Sequence, residues 1–389
     1  MTPSDIDREL AQLDAAFLKR VRRTPDNACG PEVVLQGRPL VAFASNDYLG
    51  LANDPALKQG AIAAIEQWGV GAGASQLVSG RLAIFETLEQ RLAEFAQREA
   101  ALFFPSGFQA NLGVLTALAD RHDVIFADKV NHASLIDGAL LSRAQHVRYQ
   151  HIDLDDLANK LKNTPVGSGG TRLIVTDSVF SMDGDEAPLP ALMALAEQYD
   201  AWLIVDDAHG LGVIGPQGRG SIADAGLPPH PQLIMIGTLG KAAGVSGAFV
   251  AAGANVIEWL IQRARSYIYT TGASPMIAGA LLAALEQILQ GDERRAQLQR
   301  RIAELRAGIT TLNLPFELVP SRTGIQALVI GDNVKTLAVA AKLLEQGYWV
   351  PAIRPPTVPV GSARLRISLS AAHTPGHITG LVDALAKAV

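Results

Sequence analysis

A single ammonium, Lys241, stands in the stretch LIMIGTLGKAAGVSGAFV between Leu233 and Val250, where every other side chain is apolar, very small or a hydroxyl. A lysine buried without a partner gives up its proton, and the neutral amine that results is a nucleophile. The plain alternative is a lysine at a strand–helix corner with its head in water. Four other segments offer groups that could work with it. WLIVDDAHG ends in Asp206, Asp207 and His209, TDSVFSMDGD presents Ser181, and DKVNHASLIDG presents His132. FFPSGFQAN turns from strand to helix at Ser106-Gly107-Phe108, which leaves free backbone N–H groups at a positive dipole end. Each has an ordinary structural explanation when taken alone: a turn cap for Asp206 or His209, a hydrogen-bonded loop residue for His132, a common turn for PSG. Together, an amine, a carboxylate, two imidazoles and a phosphate cradle are what a pyridoxal phosphate site requires.

The elements that must position these groups alternate along the chain. Likeness to β-structure is strongest in ALFF (101–104), VIFA (124–127), HVRY (146–149), RLIVT (172–176), WLIVD (202–206), LIMI (233–236) and GAFVA (247–251). Most are continuous apolar runs, the pattern of parallel strands covered on both faces. Helical stripes separate them, as in FETLEQRLAEF, with Phe85, Leu88, Leu92 and Phe95 on one side, and in ALMALAEQY. This alternation predicts an α/β fold with a mainly parallel seven-stranded sheet between helices, and the candidate groups then fall at strand carboxyl ends, where open sheets bind ligands. NTPVGSGGT (163–171) reads as a flexible loop. GLGVIG (210–215) matches the dinucleotide pattern by letter, but PQGRG follows it and cannot open a helix, and the ribose-binding acid is missing. GVGAGASQLVSG (69–80) lacks the Gly-Lys-Ser/Thr ending of a P-loop, and neither HExxH nor GxSxG occurs.

Length and composition exclude whole classes. The 389 residues suffice for more than one domain, and 48% hydrophobic with 18% charged residues describes a well-packed enzyme-like chain. The net charge of −5 and scattered basic residues argue against a nucleic-acid or membrane surface. One cysteine, Cys29, permits no internal disulfide and no CxxC metal site, so no metal is expected. The N-terminus MTPSDIDREL is no signal peptide, and the longest uncharged run, 100–119, holds too many polar residues to span a bilayer. A cytoplasmic protein is expected. Residues 1–45 read as an N-terminal arm, with a basic helical piece around Lys19–Arg23 and then an extended segment; 46–285 form a large domain and 286–389 a smaller α/β domain. In the last, RLRISLS sets Leu365, Ile367 and Leu369 on one face and Arg364, Arg366 and Ser368 on the other, and HTPGHITGLVDALAKAV is a capped amphipathic helix.

SNDYLGL, NHASLIDG, FSMDGD, VDDAHG and GTLGKAAGVSG, in this order along the chain, resemble the α-oxoamine synthases, fold-type I pyridoxal-phosphate enzymes, and the resemblance spans nearly the whole chain from about residue 40 to the end. The resemblance implies a large cofactor-binding domain and a smaller C-terminal one. It implies that Lys241 carries pyridoxal 5′-phosphate covalently and later removes the amino-acid α-proton, and that Asp206 pairs with the pyridine nitrogen. His209 and Ser181 would bond the phenolic oxygen, His132 would stack on the ring, and Gly107, Phe108 and Thr238 would hold the phosphate. Thr270 and Thr271 are candidates to reach a partner subunit's phosphate in a homodimer with shared sites. For substrate, the resemblance points to Arg366 for the amino-acid carboxylate, Asn46 and Thr357 beside the acyl group, and an N-terminal arginine for which Arg20 has the best spacing among Arg20, Arg22 and Arg23. VPAIRPPTVP (350–359) with DDAHG is most similar to the members that condense L-alanine with a pimeloyl thioester, carried on coenzyme A or acyl carrier protein, with loss of CO2. Other readings are a sibling synthase that uses glycine, such as glycine C-acetyltransferase, an aminotransferase, or a non-catalytic cofactor-binding protein.

Overall fold

A computed structural model describes residues 1–389, and all seven expected strands form in it. They are β1 (Ala100–Phe104), β2 (Val124–Asp128), β3 (Gln145–Tyr149), β4 (Arg172–Asp177), β5 (Ala201–Asp206), β6 (Leu233–Thr238) and β7 (Ala248–Ala252). One sheet joins them in the order β1-β7-β6-β5-β4-β2-β3. The five strands from β3 to β6 pair in parallel, whereas β7 runs antiparallel to both β6 and β1. The continuous apolar runs are buried as expected: β2, β7 and nearly all of β4, β5 and β6 are inaccessible to solvent. HVRY differs because β3 is an edge strand with one neighbour, so it stays half exposed.

The chain divides into two compact units. The larger comprises Leu49–Ser181 and Asp185–Arg295 and contains the whole seven-stranded sheet. Its core includes Phe104, Val114, Ile125, Leu135, Ile204 and Val250. Helix Ala83–Ala96 buries the stripe Phe85, Leu88, Leu92 and Phe95. Helices Pro55–Trp68 and Pro275–Leu289 meet at Gly60 and Gly279, where a Cβ on either residue would overlap the other's backbone carbonyl. Glycine is needed there for close approach, not for a turn.

The smaller unit comprises Met1–Tyr48, Met182–Gly184 and Ala296–Val389. An antiparallel sheet of Glu317–Leu318, Ile325–Gly331, Ala363–Ser368 and Ala352–Ile353 forms one part, and Glu32–Leu35, Arg38–Ala42 and Tyr348–Trp349 form another. Helix Pro375–Ala388 is capped by Thr374 as its sequence suggests. One expectation needs correction. The N-terminal helix is Pro3–Ala15, not the basic piece, and Lys19–Arg23 is irregular. Thr2 and Asp5 make a reciprocal capping box ahead of Pro3, and the chain leaves the helix at Phe17 with φ +57°, so the helix is spent before the basic residues begin. Both faces of RLRISLS are covered: every residue of Ala363–Ser368 is buried, the two arginines included. No helix is long and apolar enough to cross a membrane.

Candidate active site

The larger unit gathers most of the candidate groups at one edge of its sheet, since parallel strands end on the same side. Helix α1 (Gly107–Leu118) starts directly after β1, and Ser106 caps it by accepting the Gln109 N–H at 3.2 Å. The N–H groups of Gly107 and Phe108, in the first turn, have no carbonyl within the helix to reach. Thr238, the last residue of β6, brings its hydroxyl beside Gly107: a Cβ built on that glycine would lie 3.5 Å from Thr238 Oγ1. Thr270 also comes near this helix end, 3.5 Å from the Gln109 amide, while Thr271 bridges Ser75.

Lys241 lies on the short connection from β6 to β7. That connection is tied by Leu239 N–H to the Gly247 carbonyl, Val245 N–H to the Leu239 carbonyl and Gly244 N–H to the Lys241 carbonyl. The lysine is half-buried, with Nζ 2.8 Å from Nε2 of the buried His209. Asp206, at the end of the neighbouring β5, is buried and takes one donor on each oxygen: Ala208 N–H at 3.0 Å on Oδ1 and Asn111 Nδ2 at 2.7 Å on Oδ2. An ionised carboxylate has about four acceptor positions, so further donors can still be received.

His132 precedes helix α2 (Ala133–Ser142). Its N–H donates to Asp177 Oδ2 at 2.7 Å, and its Nδ1 lies 2.7 Å from Ser134 Oγ. Ser134 Oγ accepts from Asn111 Nδ2 at 2.8 Å, so a hydrogen-bonded chain runs from His132 through Ser134 and Asn111 to Asp206. Desolvation of the His132 ring holds its pKa below the usual histidine value; Asp206 pulls the other way and Lys241 reinforces the lowering. Burial, with the Asp206 carboxylate nearby, pushes Asp177 well above the usual carboxylate range. Ser181 sits in the turn that follows β4, between Val179 and Glu186, which bridge one another.

Asp207 has a different task. Its carboxylate accepts from Ser178 Oγ at 2.5 Å, Ser221 Oγ at 2.7 Å and Ser221 N–H at 2.8 Å, and burial raises its pKa to about 6. A side chain at Gly210 or Gly220 would collide with that carboxylate. The GLGVIG letters therefore describe backbone folded tightly against Asp207, in accord with rejecting a dinucleotide site.

The remaining candidates belong to the smaller unit. Arg366 is buried, its Nη1 2.7 Å from Ser368 Oγ and both terminal nitrogens 3.2 Å from Asn46 Oδ1, which also accepts from the Tyr48 hydroxyl. Arg20 and Thr357 line one cavity of about 770 Å³. Its walls include Leu337, Leu344, Trp349 and Ile353, and Lys19, Arg23 and Arg354 bring further positive charge. Arg354 bonds the Phe17 carbonyl, and burial together with Arg20 lowers its pKa.

Asn111, Ser134 and Asp177 were not among the residues the sequence singled out. Asn111 did carry a signal: it is a large polar residue on the helix side that also presents Ala110, Val114 and Leu115 to the core. Asp177 and Ser134 carry none, because their roles depend on strands distant in sequence.

The chain matches the family described as aminotransferase class I and II over residues 38–385. It is 54% identical to the 8-amino-7-oxononanoate synthase of Herminiimonas arsenicoxydans, with all of both chains covered. Among solved structures, an SPT "with PLP internal aldimine" superposes with a TM-score of 0.92 at 28% identity, over 99% of this chain and 96% of that one. The 8-amino-7-oxononanoate synthase from Francisella tularensis gives 0.78 at 33% identity, over 90% and 97%.

Proposed function

Because the chain belongs to the class I and II aminotransferases and, within them, to the 8-amino-7-oxononanoate synthases, we propose that its site performs the decarboxylative condensation of L-alanine with a pimeloyl thioester, giving 8-amino-7-oxononanoate, CO2 and free thiol in biotin biosynthesis. The observation that carries the assignment of the site is the Lys241–His209 pair at 2.8 Å on adjoining strand ends with Asp206. The donor set fits pyridoxal phosphate, the cofactor of this family: an amine for its aldehyde, a buried carboxylate for its ring nitrogen, and unpaired helix-end amides for its phosphate. When bound, that group draws carbanion charge from the α-carbon of the amino acid into its ring.

The protein's own groups do the rest. Gly107 and Phe108 N–H groups and the Thr238 hydroxyl hold the phosphate. Asp206, kept in place by Asn111 and Ala208 N–H, accepts from the ring nitrogen and keeps it protonated. Lys241 tethers the cofactor and then takes the α-proton, with His209 within hydrogen-bond reach of its Nζ. His209 and Ser181 bond the phenolic oxygen. His132, favoured as neutral by its lowered pKa, offers an uncharged ring for stacking. Arg366, oriented by Asn46 and Ser368, receives the carboxylate of alanine.

The cavity holding Arg20 and Thr357 suits a dicarboxylic acyl chain, because apolar walls accept methylenes and the cations accept the far carboxylate. The carrier is coenzyme A or acyl carrier protein, which present the same thioester. Acetyl, succinyl, pimeloyl and palmitoyl thioesters assayed against glycine, L-alanine and L-serine should give the highest kcat/KM for pimeloyl with L-alanine. A maximum for acetyl-CoA with glycine would replace this reading with glycine C-acetyltransferase.

The same reading makes the active form a homodimer in which Thr270 or Thr271 contributes a hydroxyl to the partner's phosphate. Large apolar side chains near this segment lie open in the single chain, Tyr269 at 71% and Val78 at 80% exposure, which supports burial against a second copy. Sedimentation of the active protein should give twice the chain mass of 41.1 kDa; full activity in a monomer peak would refute the shared site.

A further inference from the structure

The loop after β2 carries His132 and the turn after β4 carries Ser181, and one side chain is bonded to the base of both. His151, two residues beyond β3, places Nδ1 2.9 Å from Asp128 Oδ1 and Nε2 2.6 Å from Asp185 Oδ2. Its ring meets Phe180 edge-on, with centroids 4.4 Å apart. The Asp128 carboxylate also accepts the Val130 and Ile152 N–H groups, each at 2.9 Å, and so organises the segment that leads into His132. On the other side, Phe180 N–H donates to the Asp185 carbonyl and Ala187 N–H to the Ser178 carbonyl, both at 2.9 Å, which closes the turn around Ser181. Oδ1 of Asp185 has no hydrogen-bond partner, so His151 supplies the one hydrogen bond that anchors that carboxylate.

An imidazole that faces a carboxylate through each nitrogen donates twice, and it must then carry both protons and a positive charge. We propose that His151 is a positioning residue: as an imidazolium clamp between Asp128 and Asp185 it sets the His132 loop and the Ser181 turn relative to one another. It touches neither substrate nor cofactor, and its catalytic relevance rests on the roles given above to His132 and Ser181. Burial alone would lower the pKa of His151, but the two hydrogen-bonded carboxylates outweigh it and raise the value to about 9. The charged groups facing the ring are Asp128, from the end of β2, and Asp185, from the turn; Tyr149 and Asp177 stand behind Asp128. Since the folded value lies above the ordinary 6.5, the stabilisation is complete below that pH and fades as pH rises through about 9.

The test compares wild type, His151→Gln and Asp185→Asn as full-length holoenzyme. A clamp predicts that His151→Gln lowers kcat about tenfold, the scale of a modest displacement of positioned groups, with KM for L-alanine and pimeloyl-CoA within about twofold. It also predicts that wild type loses kcat above about pH 9 and that His151→Gln lacks this step. Independently of turnover, amide hydrogen exchange should accelerate at 128–132 and 178–187 and stay unchanged in helix Pro275–Leu289. Wild-type kcat in His151→Gln, or unaltered exchange in the two segments, overturns the clamp. Should His151→Gln fail to fold, Asp185→Asn, which keeps the Asp128 bond, must show the same kcat loss, and normal kcat there overturns it equally. A wild-type chain inactive on these substrates would instead sink the functional reading, and the exchange data would still decide the clamp.

Discussion

Lys241→Ala is expected to lose turnover by at least ~10³-fold, because under the proposed function the substitution removes the covalent tether and the proton acceptor together. Cofactor binding should suffer less. The helix-end amides of Gly107 and Phe108, Thr238 and Asp206 all remain, so pyridoxal phosphate should still bind, but exchangeably. Borohydride reduction followed by peptide mass analysis makes the distinction: wild type should yield a modified peptide containing Lys241, and the variant none. His209 loses its partner at 2.8 Å in this variant, yet it is buried among other groups and the fold should persist. Near wild-type turnover in Lys241→Ala would remove the basis of the assignment.

Asp206→Ala should cost several orders of magnitude in kcat, and more than His132→Ala. In the proposed site this carboxylate would keep the ring nitrogen protonated, and that charge would matter most where carbanion density reaches the ring. Stacking by His132 is worth only about 0.5–1.5 kcal/mol, or roughly tenfold at most. Removing Asp206 also leaves the Ala208 N–H and one Asn111 bond without an acceptor, so a stability loss of about 1–3 kcal/mol should accompany the kinetic one. Parallel measurements of kcat and denaturation midpoint separate the two effects. If His132→Ala proves the more damaging, the roles of the two residues have been exchanged.

Strand placement was legible because buried parallel strands must be apolar throughout, and such runs are visible without knowing what covers them. Each of the seven came within one or two residues of its observed bounds. Strand order was not legible, nor was the reversal of β7, since neither leaves a mark in local pattern. In the arm, the cluster of basic residues carries no helix signal of its own, while Thr2, Pro3 and Asp5 hold the capping signal that places the helix. Alternation in RLRISLS was read correctly as two faces, but alternation cannot say that Asn46 and Ser368 await the polar one. His151 is the clearest limit: HIDLDD looks like an ordinary loop, and only the approach of β2, β3 and the turn after β4 gives its imidazole two carboxylates.

The antiparallel return of β7 bears on how this chain can diverge. A lysine placed before a crossover helix could absorb an added residue in the helix that follows. Here the connection from Thr238 to Ala248 is closed at both ends by ladder pairs, Thr238 opposite Ala248 and Gly237 opposite Phe249. An inserted residue would break the hydrogen bonds that fold the connection, Leu239 N–H to Gly247, Val245 N–H to Leu239 and Gly244 N–H to Lys241, and so change the height of the amine. The residue count of this connection is thus itself a specification beside its fixed letters, Lys241 and the left-handed Gly244 and Gly247: its length acts as a ruler that holds the amine at one distance from the sheet edge.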